Sequence, residues 1–420
     1  MHNFMDYCLR TYFKTIDWND DNQYSNLCAA SRGEEFTSLN IPRGLTFAIS
    51  KIKFPLLKAS YSMNVSPILN GSLGYLFTSR PLKVDPSERV NFMEMIDRFH
   101  INYMPRNYSP EVLDKNDDGS EVIKDYLLYG RLFVPTGRLE AIYSKRFSRW
   151  MQCVVTAVSD PRSKAASHVT TELQYDVGQW CTELSYTTDG ELFGVRGLYN
   201  FASQSQEETD TDSNNEEQSL QDKKKKKDDN LKAPLVERNV FDVSSESEDD
   251  DEVESLKGEW SIGAELYYGV RERSGGVSAG IRYRSLPQFS LQSPISVTYL
   301  INPIMGHMSA AFAAQVSDDL ALCPRFEFNM YSYESDLMIG AEWWQREHER
   351  ESESNDDTVN KSSQGEVTGI VKATVGTSRG ITLLWEGKYG KMLFSLGLVA
   401  DLTSRISPIR SVGLQFQYFS

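Results

Sequence analysis

Gly258-Glu259-Trp260-Ser261-Ile262-Gly263-Ala264-Glu265-Leu266-Tyr267-Tyr268 carries a two-residue period. Trp260, Ile262, Ala264, Leu266 and Tyr268 fall on one side, and Ser261, Gly263 and Glu265 on the other. Strict alternation over eleven residues is the signature of a strand with one oily face. The next segment repeats it, with Val277, Ala279, Ile281 and Tyr283 set against Ser278, Gly280, Arg282 and Arg284. The same period recurs in Leu73, Tyr75, Phe77; in Val169, Thr171, Leu173, Tyr175; in Leu322, Phe326, Phe328; in Ile381, Leu383, Trp385; and in Met392, Phe394, Leu396, Leu398.

About twenty such segments follow one another from about Ile41 to the C-terminus, of which 98–104 is the weakest. Short turns join them, expected at Asn70-Gly71, Asp318-Asp319 and Tyr389-Gly390, which marks a meander of sequential hairpins. That many strands are too many for one open sheet, and many are long enough to cross a bilayer core. Closure also removes the unpaired edges that lipid does not tolerate. The expected fold is therefore an all-β, transmembrane, antiparallel up-and-down barrel of the porin type. No run of about 18 apolar residues exists, so a helical span is excluded. The mean hydropathy of −0.45 does not exclude a barrel, because half of each strand faces inward.

The net charge of −15 is concentrated in two places. Between Gln206 and Lys257, eighteen acids face eight bases, and between Arg346 and Asp357, six face two. These segments lie in loops 203–257 and 347–364, which are low in apolar residues and expected to be disordered. The rest of the chain is nearly neutral. The five-lysine run Lys223 to Lys227 sits among acids and reads as a solvated polyampholyte, not a nucleic-acid site. A third irregular connection is expected over 105–120.

Before the barrel, which is assigned to 37–420, an N-terminal segment 1–36 carries Met5, Leu9, Tyr12 and Ile16 at helical spacing. This predicts a short amphipathic helix that either fills space against the barrel or lies on the membrane surface. No basic stretch, apolar core and cleavage site precede it, so a bacterial secretory route is not expected.

Catalytic chemistry is not indicated, and no cofactor is expected. His2, His100, His168, His307 and His348 are scattered singly, and Cys8, Cys28, Cys153, Cys181 and Cys323 show no metal-binding or disulfide spacing. Gly275-Gly276 with Gly280 opens a strand and reads as a turn, not a phosphate loop. Inward positions Arg131, Arg196, Arg282, Glu265, Glu327 and Glu386 have mixed sign, which favours internal pairing over a one-sign conduction filter. Both a binding scaffold and a metabolite- or protein-conducting channel remain compatible with these features.

The final segment, Ser411-Val412-Gly413-Leu414-Gln415-Phe416-Gln417-Tyr418, resembles the β-signal of mitochondrial barrels. Ser411 is the polar residue, Gly413 the glycine, and Phe416 and Tyr418 the two hydrophobics, in a strand suited to capture by strand addition. At the other end, Met5-Asp6-Tyr7-Cys8-Leu9-Arg10, Trp18, Tyr24, Ser31-Arg32 and Ile41-Pro42 resemble the fungal mitochondrial distribution and morphology protein 10 family. The likeness continues through Leu69-Asn70-Gly71-Ser72-Leu73-Gly74-Tyr75-Leu76-Phe77, Leu127-Leu128-Tyr129-Gly130-Arg131-Leu132 and Leu139-Glu140-Ala141.

The resemblance implies nineteen strands, with the first and last parallel. It implies a multi-pass protein of the mitochondrial outer membrane at contacts with the endoplasmic reticulum. There it would anchor the ER-mitochondria encounter structure, with its ER-anchored and peripheral lipid-binding subunits, and so support phospholipid exchange. It also implies a role in the sorting and assembly machinery, in the late assembly of other outer-membrane barrels and of the import channel complex. Tyr75 and Phe77, on one oily face, are the candidate partner contacts; the alternative is girdle aromatics against lipid.

Overall fold

The computed structural model describes residues 1–19, 22–27, 41–52, 54–96, 125–162, 167–201, 258–285, 294–346, 367–377, 380–401 and 408–420. In it the alternating segments form one nineteen-stranded sheet that closes on itself. The strands are β1 Gly44–Lys51, β2 Leu57–Ser66, β3 Asn70–Thr78, β4 Tyr126–Val134, β5 Leu139–Arg146, β6 Met151–Ser159 and β7 His168–Asp176. Next come β8 Trp180–Thr187, β9 Leu192–Phe201, β10 Gly258–Gly269, β11 Ser274–Ser285, β12 Ile295–Asn302 and β13 His307–Ser317. The last are β14 Leu320–Asn329, β15 Ser335–Arg346, β16 Val367–Gly376, β17 Gly380–Tyr389, β18 Met392–Ala400 and β19 Ile409–Phe419.

Each strand pairs antiparallel with the next, and β1 closes on β19 in parallel, from Gly44 opposite Gly413 to Ser50 opposite Phe419. An odd-numbered meander leaves its first and last strands pointing the same way, so this closure cannot be antiparallel.

The pleat sorts side chains as the alternation requires. On β10, Ile262 and Leu266 are 45% and 56% exposed on the outside, whereas Ser261, at 1%, faces the interior. The outward-facing positions of β7 to β13 include Leu184, Val195, Tyr199, Leu266, Val297 and Phe312, and none of those positions holds Asp, Glu, Lys or Arg. An exposed apolar belt of this extent is far larger than a water-soluble monomer tolerates. Acyl chains account for it.

Two features differ from the expected layout. Asn70-Gly71 is not a turn: both residues lie in β3, Asn70 opposite Asn64 and Gly71 opposite Met63, and Gly71 has no positive φ. The chain reverses at 66–69 instead, where Pro67, with no amide hydrogen, cannot extend a ladder. The count is nineteen rather than about twenty; the weakest candidate strand, 98–104, lies outside the described residues, as do the connection 105–120 and the acidic segments 203–257 and 347–364.

Helix α1, Phe4–Thr15, begins where the periodicity places it. Asn3 caps it, its side-chain oxygen accepting from the amides of Met5 and Asp6 at 3.0 Å each. Single helical turns form at Tyr24–Leu27 and Phe92–Met95.

Strand direction also fixes the rims. Thr78, Arg146, Phe201, Gly258, Arg346, Val367 and Phe419 all end or begin strands at one rim, so both acidic insertions leave from the rim that carries the C-terminus. The described connections at the opposite rim are short.

Candidate functional site

The interior of the barrel is divided into an apolar wall and a polar wall. Leu76 on β3, Leu127 on β4, Trp344 on β15, Ile370 on β16, Leu393 on β18 and Phe419 on β19 face inward and are buried. Water would not wet such a surface favourably. Against it pack Phe4, Met5, Tyr7, Cys8 and Tyr12 of α1, then Ile16 and Trp18, with the Phe4 and Phe419 rings 5.1 Å apart. Each large apolar side chain removed from water here contributes roughly 1.5–3 kcal/mol. Of the two placements open to the helix, the interior is the one it takes. Burial pushes the Cys8 thiol up to about 12, with Lys58 opposing and Asp6 adding to the effect, so this cysteine is an inert packing group.

A second segment, 79–96, folds into the same mouth. Leu82, Val84, Val90, Phe92, Met95 and Ile96 join the cluster. Polar contacts fix its position: the His2 amide donates to the Met95 carbonyl at 2.8 Å, Lys14 pairs with Glu94 at 3.3 Å, and the Ser87 hydroxyl donates to the carbonyl of Phe419 at 3.2 Å. Arg80 closes the segment against Asp125 at 2.6 Å.

The polar wall holds residues 22–27. Asn22 donates to Asp176 at 2.6 Å and to the Gly178 carbonyl at 2.9 Å, and Asn200 donates to Asn22 at 2.7 Å. The Tyr24 amide donates to Glu183 at 2.9 Å, and its hydroxyl lies 2.8 Å from that of Ser278. Glycines on β10 and β11 make room: a Cβ on Gly263 would meet the Tyr24 ring at 2.6 Å, and one on Gly280 would meet Leu27 at 2.7 Å. Further round, Arg146 donates to the Ile16 carbonyl and sits over the Trp18 ring at 5.6 Å. The amino group of Met1 pairs with Glu386, which also holds Lys372 at 3.3 Å.

All six inward residues singled out in the sequence face the interior with partners. Arg196 sits among Glu265, Glu172 and Glu183 at 2.8, 3.1 and 3.5 Å, and Arg131 donates to Ser72 at 2.9 Å over the Phe133 ring. Arg282 donates to the Asn26 carbonyl at 3.2 Å, Glu327 pairs with Arg325, and Glu386 takes the pairs already given. Among the described residues no group of His, Cys, Asp and Glu has the arrangement of a metal site.

The terminal-strand residues divide between the two faces. Ser411 and Gly413 face inward, and Phe416 and Tyr418 outward, with Phe416 stacked on Phe47 across the closing seam at 5.7 Å. A Cβ on Gly413 would collide with the Pro42 carbonyl, because the chain entering β1 crosses the inner face of β19 there. Tyr75 and Phe77 face outward in the second half of β3, toward the rim opposite the 66–69 reversal. Tyr75, 43% exposed, stands between Ala59 and Gly130, and Phe77 lies 6.1 Å from the Tyr126 ring. The segment 79–96 was not singled out by the sequence pattern, since a short irregular run has no period to detect.

The family model described as mitochondrial distribution and morphology protein 10 matches residues 1–368 and 351–420. Curated relatives with that same description include one from Postia placenta, 40% identical, one from Coprinopsis cinerea, also 40% identical, and one from Sclerotinia sclerotiorum, 34% identical. Each alignment covers 100% of this chain and 100% of the relative.

Proposed function

The chain belongs to the mitochondrial distribution and morphology protein 10 family, and from that premise we propose that it is an outer-membrane scaffold rather than a pore or an enzyme. The family and the barrel together fit a mitochondrial membrane protein with a role in mitochondrial distribution and morphology. In the proposed role the barrel anchors the ER-mitochondria encounter structure, holding its ER-anchored and peripheral lipid-binding subunits where phospholipids are exchanged. It also joins the sorting and assembly machinery and assists late assembly of outer-membrane barrels and of the import channel complex. Ser411, Gly413, Phe416 and Tyr418 serve as the β-signal, and Tyr75 and Phe77 as outward partner contacts.

The observation that supports this reading is the occupied lumen. An apolar inner wall covered by α1 and 79–96, with the polar wall bonded to 22–27, suits a rigid anchor and opposes a one-sign conduction path. The surfaces left for partners are then the rims and the lipid-facing side.

Two measurements on the full chain test it together: affinity purification from mitochondria in mild detergent, and reconstitution in planar bilayers. The expected result is stable co-purification of tether and assembly subunits with no steady selective conductance. Steady conductance without stable partners would overturn the scaffold in favour of a channel.

A further inference from the structure

The turn between β5 and β6, Lys145-Arg146-Phe147-Ser148-Arg149-Trp150-Met151, is the most basic and aromatic hairpin tip among the described residues, and its three cations have divided roles. Arg146 is buried and turned inward. Its guanidinium donates to the carbonyls of Ser148 at 3.2 Å and Arg149 at 2.9 Å, and to that of Ile16, so it braces the turn from below. The backbone adds a bond from the Phe147 amide to the Met151 carbonyl at 3.0 Å. The tip is therefore held in one shape by the interior.

Lys145 and the half-buried Arg149 take no part in that bracing with their side chains. Lys145 is exposed and, by the pleat, shares the outward face of β5 with Tyr143. Its ammonium lies 5.2 Å from the centre of the exposed Phe147 ring, and the Arg149 guanidinium lies 5.8 Å from that of Trp150. Neither has a carboxylate partner among the described residues. Four other cations of the two rims do: Arg80 with Asp125, Arg346 with Asp319, Lys391 with Glu88 and Arg410 with Asp401, whereas Arg271 and Arg273, in the β10–β11 turn at the opposite rim, flank Glu272 in sequence. Tyr175 and Trp180, their rings 5.4 Å apart, continue the aromatic collar beside the tip. Rings of this kind mark the depth at which a bilayer passes from acyl chain to headgroup. Two unpaired cations, backed by aromatic faces and fixed at that depth, meet a layer of phosphates.

The geometry points to the β5–β6 turn as a binding site for the phosphate of an anionic phospholipid in the leaflet at this rim. The exposed Phe147 lies against the upper acyl chain and glycerol, while Lys145 and Arg149 contact the headgroup. The same turn holds the N-terminal segment through Arg146, so the lipid-side contact and the lumenal plug share one support. This site is independent of the scaffold reading, since an open channel could carry it equally well.

Native mass spectrometry of the detergent-solubilised full chain, titrated with phosphatidylglycerol or phosphatidylcholine, tests the assignment. The wild-type chain is expected to bind its first phosphatidylglycerol more tightly than phosphatidylcholine, with the preference falling as ionic strength rises. The double variant K145Q/R149Q is expected to lose roughly fivefold in phosphatidylglycerol affinity per cation removed. Its phosphatidylcholine binding stays unchanged, and R410Q, which alters an already paired cation at the other rim, has no effect. Absence of an anionic preference in the wild-type chain would overturn the proposal whether or not the variant folds. So would an unaltered preference in a double variant that keeps heat-modifiable migration. Displacement of the lipid by equimolar inorganic phosphate would replace the lipid site with one for the free anion.

Discussion

Valine at Gly413 is expected to stop the barrel from closing. The two branches of a valine side chain would occupy the space through which Pro42 and Arg43 pass on their way into β1, and the atoms in the way are backbone, which cannot rotate aside. Opposite Gly413 across the seam is Gly44, at φ +73°, so the partner residue has no slack either. Ordinary overpacking costs about 1–3 kcal/mol. With backbone on both sides the cost should be on the order of 4 kcal/mol or more, and it falls on a parallel pairing, the less stable kind per residue.

Refolding of G413V into detergent micelles, followed as the fraction with heat-modifiable migration, should show almost none, while V412L, on the exposed face of the same strand, refolds normally. Because no assembly machinery is present, this measurement separates closure from recognition of the terminal strand as a signal. Normal refolding of G413V would show that the glycine serves recognition alone.

Removal of residues 1–27 should turn a closed barrel into a conducting one. The deletion strips α1 from the apolar wall and breaks the bonds of Asn22 and Tyr24 to the polar wall, leaving a nineteen-stranded cylinder wide enough for water and narrowed only by 79–96, which loses its contacts with α1. The expected signal in planar bilayers is a steady conductance absent from the full chain. Stability should fall at the same time, because Leu76, Leu127, Ile370, Leu393 and Phe419 lose their covering, at roughly 1.5–3 kcal/mol for each large side chain left bare. A truncated chain that migrates as a folded barrel yet remains closed would show that the segment is not the plug.

The outer wall of this protein is legible because lipid imposes a period of two on each strand, as Trp260 to Tyr268 and Val277 to Tyr283 show. The plug is encoded more faintly, in places where the period fails. Leu76-Phe77, Leu127-Leu128, Ile370-Val371 and Leu393-Phe394 are apolar on both faces, and each places one residue inward in the cluster that covers the N-terminal segment. Those doublets are the signal that could have located the apolar wall.

Other features depend on tertiary contact and leave no local trace. The turn at Tyr24–Leu27 is fixed by Glu183 and Ser278, far away in the chain, and 79–96 by the carbonyls of Phe419 and Lys391. Asn70-Gly71 misled because the pair favours hairpin turns in isolation, whereas the neighbouring Pro67 decides where this hairpin reverses. The parallel seam follows from strand parity, which a count of about twenty segments could not settle; the nineteen came from family likeness.

The oily face of each strand touches acyl chains, and the opposite face lines the interior. Single cysteines at Leu266 and Val277, which face outward, and at Glu265 and Ser278, which face inward, can each carry a nitroxide in the reconstituted full chain. Collisions with dissolved oxygen but not with a water-soluble nickel chelate are expected at positions 266 and 277, and the lower oxygen exposure of a packed interior at 265 and 278. Equal accessibility at all four positions, or the opposite alternation, would contradict this arrangement.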